Sequence, residues 1–308
     1  MFAICLYCLY CLYCLYCLYC LYLCVNGRPT DHGPISRTST NDPAYIANKQ
    51  QSASVTLPNS MKFPKIIWLL WYQGWEHAPW ISQNVLKSWK RHNPDWQVIL
   101  VSKDNLSGLV TIEEKPNRSH AAFSDVVRLN LLAKYGGIWA DATMLCMEPL
   151  NNWVWEALAP CGFWMYHGRD NCKGPASWFI LSSNESLLIQ DWKTECDKYW
   201  KLQITADTAD TADYFWMDSI FEDKRHNDKQ FKTEWEKVPH LCSEDLGSAH
   251  FAGRVNTPPT DEFKKHINEN KIPHAIKLSN KQGAEEGANS IATYLVEISN
   301  KKSAALVT

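Results

Sequence analysis

The 308-residue sequence has no excess of charge of either sign: 31 Lys and Arg residues stand against 33 Asp and Glu residues, for a formal net charge of −2. A nucleic-acid-binding surface needs a clear excess of basic side chains, so nucleic acid is not an expected partner. Apolar material is plentiful, because hydrophobic residues make up 45% of the chain and 15 residues are Trp. That supports a large core in one or two domains, and flat Trp rings also suit stacking on a sugar or a base.

Beyond residue 24 the sequence lacks the cysteine spacing of a zinc site or of a disulfide framework. Seven of the 12 Cys residues fall within the first 24 positions, and the other five are scattered. These five are Cys146, Cys161, Cys172, Cys196 and Cys242. An odd, scattered set is typical of reduced cysteines, so we expect a reducing compartment, the cytoplasm.

Charged residues are also missing from Phe2 to Val25, where Cys-Leu-Tyr repeats almost perfectly over residues 5–22. Slippage during DNA replication produces such in-frame repeats. Three interpretations of residues 1–25 stay open: an extension without a fold of its own, a membrane segment that would place the protein at the inner face of the membrane, and a secretory signal. The third interpretation is the weakest, since no Lys or Arg precedes the apolar run.

Residues 26–60 have few large apolar side chains and are rich in Ser, Thr, Asn and Pro, which is linker composition. We therefore expect one folded domain over residues 61–282. Residues 283–308 are expected to form a polar tail that contains one weakly amphipathic stretch, Ile291–Ile298.

Strand and helix patterns alternate within the expected domain. Apolar runs at 64–71, 96–101 and 138–147 are typical of buried strands. Helices are predicted from Pro79 to His92 and from the N-cap Ser119 to Tyr135, where Gly136 follows. This order implies parallel crossovers and an α/β fold whose ligands bind at the carboxyl ends of the strands. Later strands are expected at 163–167, 177–181 and 275–278, and later helices from residue 184 and at 214–221.

The segment 119–145 holds side chains that suit a diphosphate-bearing ligand. Asp125 and Arg128 are three residues apart on a predicted helix and share one face. Asp141 falls near the end of the next strand, and Thr143 follows two residues later. Departure of a nucleoside diphosphate builds up charge that a divalent metal on hard oxygen ligands neutralises, while an Arg binds phosphate or orients a carboxylate. Taken singly, Asp125 and Arg128 also fit an ordinary surface ion pair. Asp141 also fits a turn, since Asp is common in turns.

The same segment resembles the core of the capsular polysaccharide synthesis proteins, which are related to the initiating mannosyltransferases of yeast and, more distantly, to the clostridial glucosylating toxins. The family pattern is Ser-Asp-x-x-Arg, then Tyr-Gly-Gly-(Ile/Val)-(Trp/Tyr)-x-Asp-x-(Asp/Thr). It is matched by Ser124, Asp125, Arg128, residues 135–139, Asp141 and Thr143. PKIIWLLWYQG also resembles the family's first strand, and HAIKLS resembles a late His-x-x-Lys-Leu segment.

This resemblance implies a GT-A fold, a Rossmann-like mixed sheet flanked by helices. It implies a hexosyltransferase that moves a sugar from a nucleotide-sugar donor to a saccharide acceptor in capsule or other bacterial surface polysaccharide synthesis, with retention of configuration. The donor is expected to contact Trp71, Asp125, Arg128, Trp139, Asp141 and His274, and the catalytic residues are expected to be Asp125, Arg128 and Asp141.

A divalent metal, Mn²⁺ or Mg²⁺, is expected at Asp141 and Thr143 by the same resemblance. Thr143 replaces the second acid of the DxD metal motif, and a neutral hydroxyl is a weak ligand, so weak metal binding is expected. The acceptor is expected on the side of Trp164, Trp178, Trp216 and Asp218, although core packing is the commoner role for such Trp residues.

Two other functions stay open. A metal-dependent sugar-phosphate hydrolase also uses Asp and a metal, but it needs several clustered carboxylates. A non-catalytic, membrane-tethered component of a polysaccharide machine would use the front repeat as its anchor.

Overall fold

The computed structural model describes residues 62–113, 118–168, 172–203, 214–243, 255–269, 273–279 and 288–304. The Cys-Leu-Tyr repeat and the 26–60 linker lie outside these ranges, so their predicted roles stay predictions. Among the helices of the described ranges, none combines the length and apolar character needed to cross a membrane.

A five-stranded mixed sheet forms the centre of the fold. Its strands are β1 (Ile66–Leu70), β2 (Gln97–Val101), β3 (Gly137–Ala140), β5 (Phe163–Gly168) and β6 (Gly174–Ser182). In the order β2-β1-β3-β6-β5, the first three strands are parallel and the last two join as antiparallel neighbours. A second sheet pairs β4 (Met144–Cys146) with β7 (Ala275–Lys277) in antiparallel fashion. The predicted α/β class, a Rossmann-like mixed sheet flanked by helices, is confirmed.

Helices cover the sheet. They are α1 (Trp80–His92), α2 (Lys103–Leu109), α3 (His120–Tyr135), α4 (Val154–Leu158), α5 (Leu187–Gln203), α6 (Trp216–Asn227), α7 (Lys229–Trp235), α8 (Asp261–Asn268) and α9 (Ile291–Ala304). The predicted start of α3 is confirmed, because the Ser119 hydroxyl accepts a hydrogen bond from the backbone N–H of Ala122 at 3.2 Å. Its end is also as predicted, at Gly136, whose φ of 73° suits a residue without Cβ.

The single strand predicted over 138–147 is in fact two strands, β3 and β4. The backbone N–H of Asp141 donates to Trp178 O at 3.0 Å, and Met144 N–H then donates back to Asp141 O at 2.8 Å. The chain therefore turns at residues 141–143 and leaves the large sheet to pair with β7. Asp141 and Thr143 consequently lie in the turn between the two sheets rather than within a strand.

The prediction that residues 283–308 form a tail outside the domain is wrong for the part that the structure describes. Helix α9 buries Ala292 and Leu295 completely. Its Ser299 hydroxyl donates to Cys146 O at 2.8 Å, and the His92 ring of α1 lies 3.1 Å from Ser299 O. The apolar stripe is short and interrupted by polar residues, which is why the sequence pattern of this core helix is weak.

The expectation of reduced cysteines is wrong for one pair, because Cys172 and Cys242 form a disulfide across 70 residues. Pairing of His167 with Cys242 beside the end of β5 brings the two together. Cys146, Cys161 and Cys196 are free. A disulfide is typical of oxidising compartments, so the cysteine pattern no longer supports the cytoplasmic prediction.

Candidate active site

A cavity of about 490 Å³ opens at the carboxyl ends of β1 and β3. Its walls come from the segments that follow these two strands, from one face of α3, from the middle of β6, from the start of α6 and from β7. Its size falls in the range of roughly 300–1,000 Å³ that is typical of small-molecule sites. The cavity also lies where ligands bind in α/β sheets of this kind.

Arg128 is the centre of the charged part of the cavity. Its Nη2 atom lies 3.1 Å from Asp125 Oδ1 and 3.1 Å from Asp141 Oδ1. Its Nη1 atom donates to Ser177 O of β6 at 2.9 Å. Only 7% of the side chain is exposed. A buried guanidinium held in this way joins α3, the turn after β3 and β6 into one rigid wall.

Asp141 accepts hydrogen bonds on both carboxylate oxygens. Trp139 Nε1 donates to Oδ1 at 2.9 Å beside Arg128, and Lys277 Nζ donates to Oδ2 at 2.5 Å. Burial opposes ionisation of this carboxyl, but the charges of Lys277 and Arg128 outweigh it and hold the pKa of Asp141 below its ordinary value. Asp141 is therefore a carboxylate at neutral pH.

The pKa of Asp125 is shifted in the opposite direction. Burial raises the pKa of Asp125 above its ordinary value, and the charge of Arg128 offsets this only in part. The nearby Asp141 carboxylate adds to the increase in the pKa. The two carboxyl groups that share Arg128 thus differ in proton affinity, as groups with different roles in one site often do.

The structure places three further predicted residues at the cavity. Trp71 lines it directly after β1, and Thr143 lines it from the turn after β3. Trp139 also reaches the lining but is only 1% exposed, and its indole N–H is bound to Asp141. We therefore interpret Trp139 as a residue that orients Asp141 rather than as a surface on which a ligand stacks.

His274 does not line the cavity. Its ring stacks on Trp153 with the centroids 4.1 Å apart, and its Nδ1 atom contacts Glu148 Oε1. The structure thus gives no support to the predicted contact of His274 with the donor, which stays a prediction. The side chain that does reach the cavity from this segment is Lys277, three residues later.

Sequence reasoning missed Lys277 even though the HAIKLS segment contains it. The residue lies in β7 opposite Met144 of β4, a pairing that spans most of the domain. The available signal was a lysine inside an otherwise apolar strand, Ala-Ile-Lys-Leu. A buried-strand lysine of this kind usually has a charged partner.

The residues expected on the acceptor side divide into two groups. Trp178 and Asp218 line the cavity. Trp164 and Trp216 are only 2% and 3% exposed and do not line it, so their packing is that of core residues. Two aromatic residues that were not predicted, Tyr214 and Phe215, also line the cavity and are 69% and 37% exposed.

Comparison with known protein families identifies a family that matches most of the chain. Residues 43–298 match the family described as capsular polysaccharide synthesis protein. The protein belongs to this family. The resemblance predicted from residues 124–143 is therefore confirmed over most of the sequence.

Curated relatives of this family member are named as glycosyltransferases of fungi. "O-glycosyltransferase braB" of Annulohypoxylon truncatum is 30% identical over 161 residues, which are 44% of this chain and 38% of the relative. "Putative glycosyltransferase HOC1" of Saccharomyces cerevisiae is 24% identical over 144 residues, 43% of this chain and 36% of the relative. The chain thus spans less than two fifths of the length of either relative.

Solved structures give a weaker likeness. The glycosyltransferase GlyE of Streptococcus pneumoniae TIGR4 is similar with a TM-score of 0.44 and 13% identity, over 80% of this chain and 62% of that one. The PaToxG glycosyltransferase is similar with a TM-score of 0.39 and 12% identity, over 76% of this chain and 96% of that one. No conclusion about activity rests on likenesses of this size.

The metal site predicted for this family member at Asp141 and Thr143 does not fit the donor set in the structure. Both oxygens of Asp141 accept hydrogen bonds from cations, and Thr143 is only 8% exposed. Across the described ranges, no group of three or more His, Cys, Asp or Glu side chains could hold a metal ion. A dication at Asp141 would have to displace Lys277 or share Oδ2 with it, beside the positive charge of Arg128.

Proposed function

We propose that this protein is a glycosyltransferase of the GT-A type that moves a sugar from a nucleoside-diphosphate sugar to a hydroxyl group of a saccharide acceptor. The proposal rests on one observation: Asp125, Arg128 and Asp141 converge on a single cavity at the carboxyl ends of the parallel strands. Family membership and the names of the curated relatives support it.

The donor half of the proposal uses the wall formed by α3 and the turn after β3. Trp71, at the end of β1, offers a ring face to the nucleotide base. Asp141 accepts a hydrogen bond from a ribose hydroxyl, and Asp125 accepts one from the sugar. Arg128 fixes both carboxyl groups in place through its two contacts of 3.1 Å.

The acceptor half of the proposal uses the opposite wall. Trp178 and Phe215 offer flat apolar faces to a sugar ring, and Asp218 lies beside them to accept a hydroxyl hydrogen bond. The curated relatives compared above come from fungi, so a role restricted to bacterial surface polysaccharide is not part of the proposal.

We extend the proposal to retention of configuration. Asp125 and Asp141 are both held by Arg128, so neither is placed as a free nucleophile toward the sugar. The bond between the anomeric carbon and the diphosphate oxygen breaks with its electron pair going to the diphosphate. That leaving group then accepts the proton of the acceptor hydroxyl, which attacks from the same face.

The proposal is tested by incubating the purified protein with a panel of UDP- and GDP-sugars and by following release of the nucleoside diphosphate. We expect release with at least one donor, faster when a saccharide acceptor is present, and a product with the anomeric configuration of the donor by NMR. Release of inorganic phosphate from a sugar phosphate, without nucleoside diphosphate, would instead indicate a hydrolase. Binding without turnover for every donor and acceptor pair would favour a non-catalytic component.

A further inference from the structure

Lys277 approaches the cavity from a part of the fold that is remote in sequence from the other charged residues. Strand β7 places it opposite Met144, directly after the turn that carries Asp141. Its Nζ atom lies 2.5 Å from Asp141 Oδ2, and 21% of the side chain is exposed. An ammonium group has three N–H donors, and the bond to Asp141 uses one of them. Since Lys277 lines the cavity, a ligand there can reach its ammonium group.

Lys277 pairs with a carboxylate oxygen of Asp141, the residue at which the metal was expected. A cation bound by Asp141 has to use a carboxylate oxygen, but Oδ2 holds Lys277 and Oδ1 holds both Arg128 and Trp139. A metal ion would therefore have to displace Lys277 or share Oδ2 with it, and in either case lie close to positive side chains. The ammonium already supplies a positive charge at this point, and the fold fixes it through the pairing of β7 with β4.

We propose that Lys277 takes the place of the divalent metal, so that its ammonium group, while paired with Asp141, contacts the diphosphate of the donor and donor binding needs no metal. This inference rests on the proposed function. Lys277 transfers no proton in this step: the electron pair of the breaking bond goes to the diphosphate, and Lys277 stabilises the added charge by donating hydrogen bonds.

The experiment measures binding by isothermal titration calorimetry of the full chain. The probes are UDP, GDP and inorganic pyrophosphate, each in excess chelator and again with excess Mn²⁺, and Mn²⁺ alone. The variants are Lys277→Met, which keeps the apolar stem and removes the charge, and Lys277→Arg, which keeps the charge. Lys232→Met in α7, with a side chain that is 55% exposed, is the matched control. Thermal unfolding shows that each variant is folded.

The wild type and Lys232→Met are expected to bind a nucleoside diphosphate equally well in chelator and in Mn²⁺. Lys277→Met is expected to bind it about 10-fold or more weakly in chelator, the effect of losing a hydrogen bond to a charged group. Because Asp141 Oδ2 is then free, Mn²⁺ should restore part of the affinity of this variant and should bind to it alone. Lys277→Arg should keep much of the metal-free binding.

Two results would overturn the inference, and they differ in what they mean for the proposed function. Tight binding by the wild type only with Mn²⁺, and unchanged in Lys277→Met, would show that a metal displaces Lys277; the glycosyltransferase proposal would stand. No binding of UDP, GDP or pyrophosphate to the wild type in either condition would contradict both. If Lys277→Met does not fold, the wild type and Lys277→Arg decide the question: metal-free binding by both supports the inference, and a Mn²⁺ requirement of the wild type overturns it.

Discussion

The stretch from β1 to β3 and the stretch from β4 to α9 are organised differently. In the first, strands and helices alternate, and each parallel strand joins a neighbour within the same stretch. In the second, decisive contacts join residues that are far apart, such as Cys172 with Cys242 and β4 with β7. The first stretch carries the charged pair of α3, Asp125 and Arg128, and the second completes the cavity with Lys277 and the α6 wall. A site can thus be recognised from one stretch while its electrostatics are set by another.

Arg128 links the two stretches, since it binds Asp125 and Asp141 and also the backbone of β6. Arg128→Met would leave two carboxyl groups without their shared cation. We expect the free energy of unfolding to fall by about 3–5 kcal/mol, as when one partner of a buried ion pair is removed. Urea denaturation measures this. Arg91→Met, on the exposed face of α1, should change it by less than about 0.5 kcal/mol. Equal effects in the two variants would show that the link is not structural.

A substitution in helix α9 tests whether the second stretch contributes to the hydrophobic core. Leu295 is fully buried, so Leu295→Ala should lower the free energy of unfolding by about 2–5 kcal/mol through lost burial and a cavity. Glu297→Ala on the exposed side of the same helix is the control, with an expected change within about 0.5 kcal/mol. A negligible effect of Leu295→Ala in chemical denaturation would mean that the helix is a detached tail, as the sequence alone suggested.

The Cys172–Cys242 disulfide closes a long loop in the second stretch. Replacing both residues by Ser should lower the free energy of unfolding by about 2–4 kcal/mol, chiefly because the unfolded chain is no longer cross-linked. Dithiothreitol should produce a similar decrease in the wild type and none in the double variant. Cys161→Ser, which removes a free thiol, is the control. If mass spectrometry finds five free thiols beyond residue 24 in the purified protein, the pair is reduced and the original expectation of a reducing compartment holds.

The two carboxyl groups beside Arg128 should produce a smaller effect, of opposite sign in the two variants. Asp141 has a lowered pKa in the folded protein, so it stabilises the fold at pH values above the ordinary carboxyl pKa of 3.8. This stabilisation is lost as the pH falls through the lower pKa of the folded state. Asp125, with its raised pKa, lowers stability as the pH rises above 3.8 toward its folded value. Between about pH 3 and pH 7, Asp125→Asn should therefore gain stability relative to the wild type, and Asp141→Asn should lose it. Parallel pH profiles in urea denaturation would contradict the assigned pKa shifts.

The difference between the two stretches also explains what the sequence predicted. The buried strand before Trp71, the cap at Ser119 and the stop at Gly136 are local patterns, and the structure confirms them. Convergence of Asp125, Arg128 and Asp141 followed from helix periodicity and from the position of strand ends. The break of the strand at Asp141, by contrast, depends on hydrogen bonds to β6 and β7, which no local pattern encodes.

The late segment shows the same dependence on remote partners. His274 and Lys277 lie on one short segment, and only the pairing of β7 with β4 decides which of them meets the cavity. The core role of α9 and the pairing of Cys172 with Cys242 likewise depend on partners remote in the chain. Sequence patterns alone therefore identified the charged motif of the candidate site but not Lys277, which pairs with it.

Transfer activity of Asp141→Asn tests the central claim most directly. Asn keeps the size of the side chain and its preference for turns but removes the charge that holds Lys277 and Arg128 at the cavity. Asp261→Asn, with a fully exposed side chain at the start of α8, is the matched control. With a donor that the wild type uses, we expect release of nucleoside diphosphate by folded Asp141→Asn to fall by about 100-fold or more, the scale of losing a transition-state charge stabiliser, while Asp261→Asn stays at the wild-type rate. Near-wild-type turnover by Asp141→Asn would show that Asp141 only forms a turn and would contradict the assignment of this cavity as the active site.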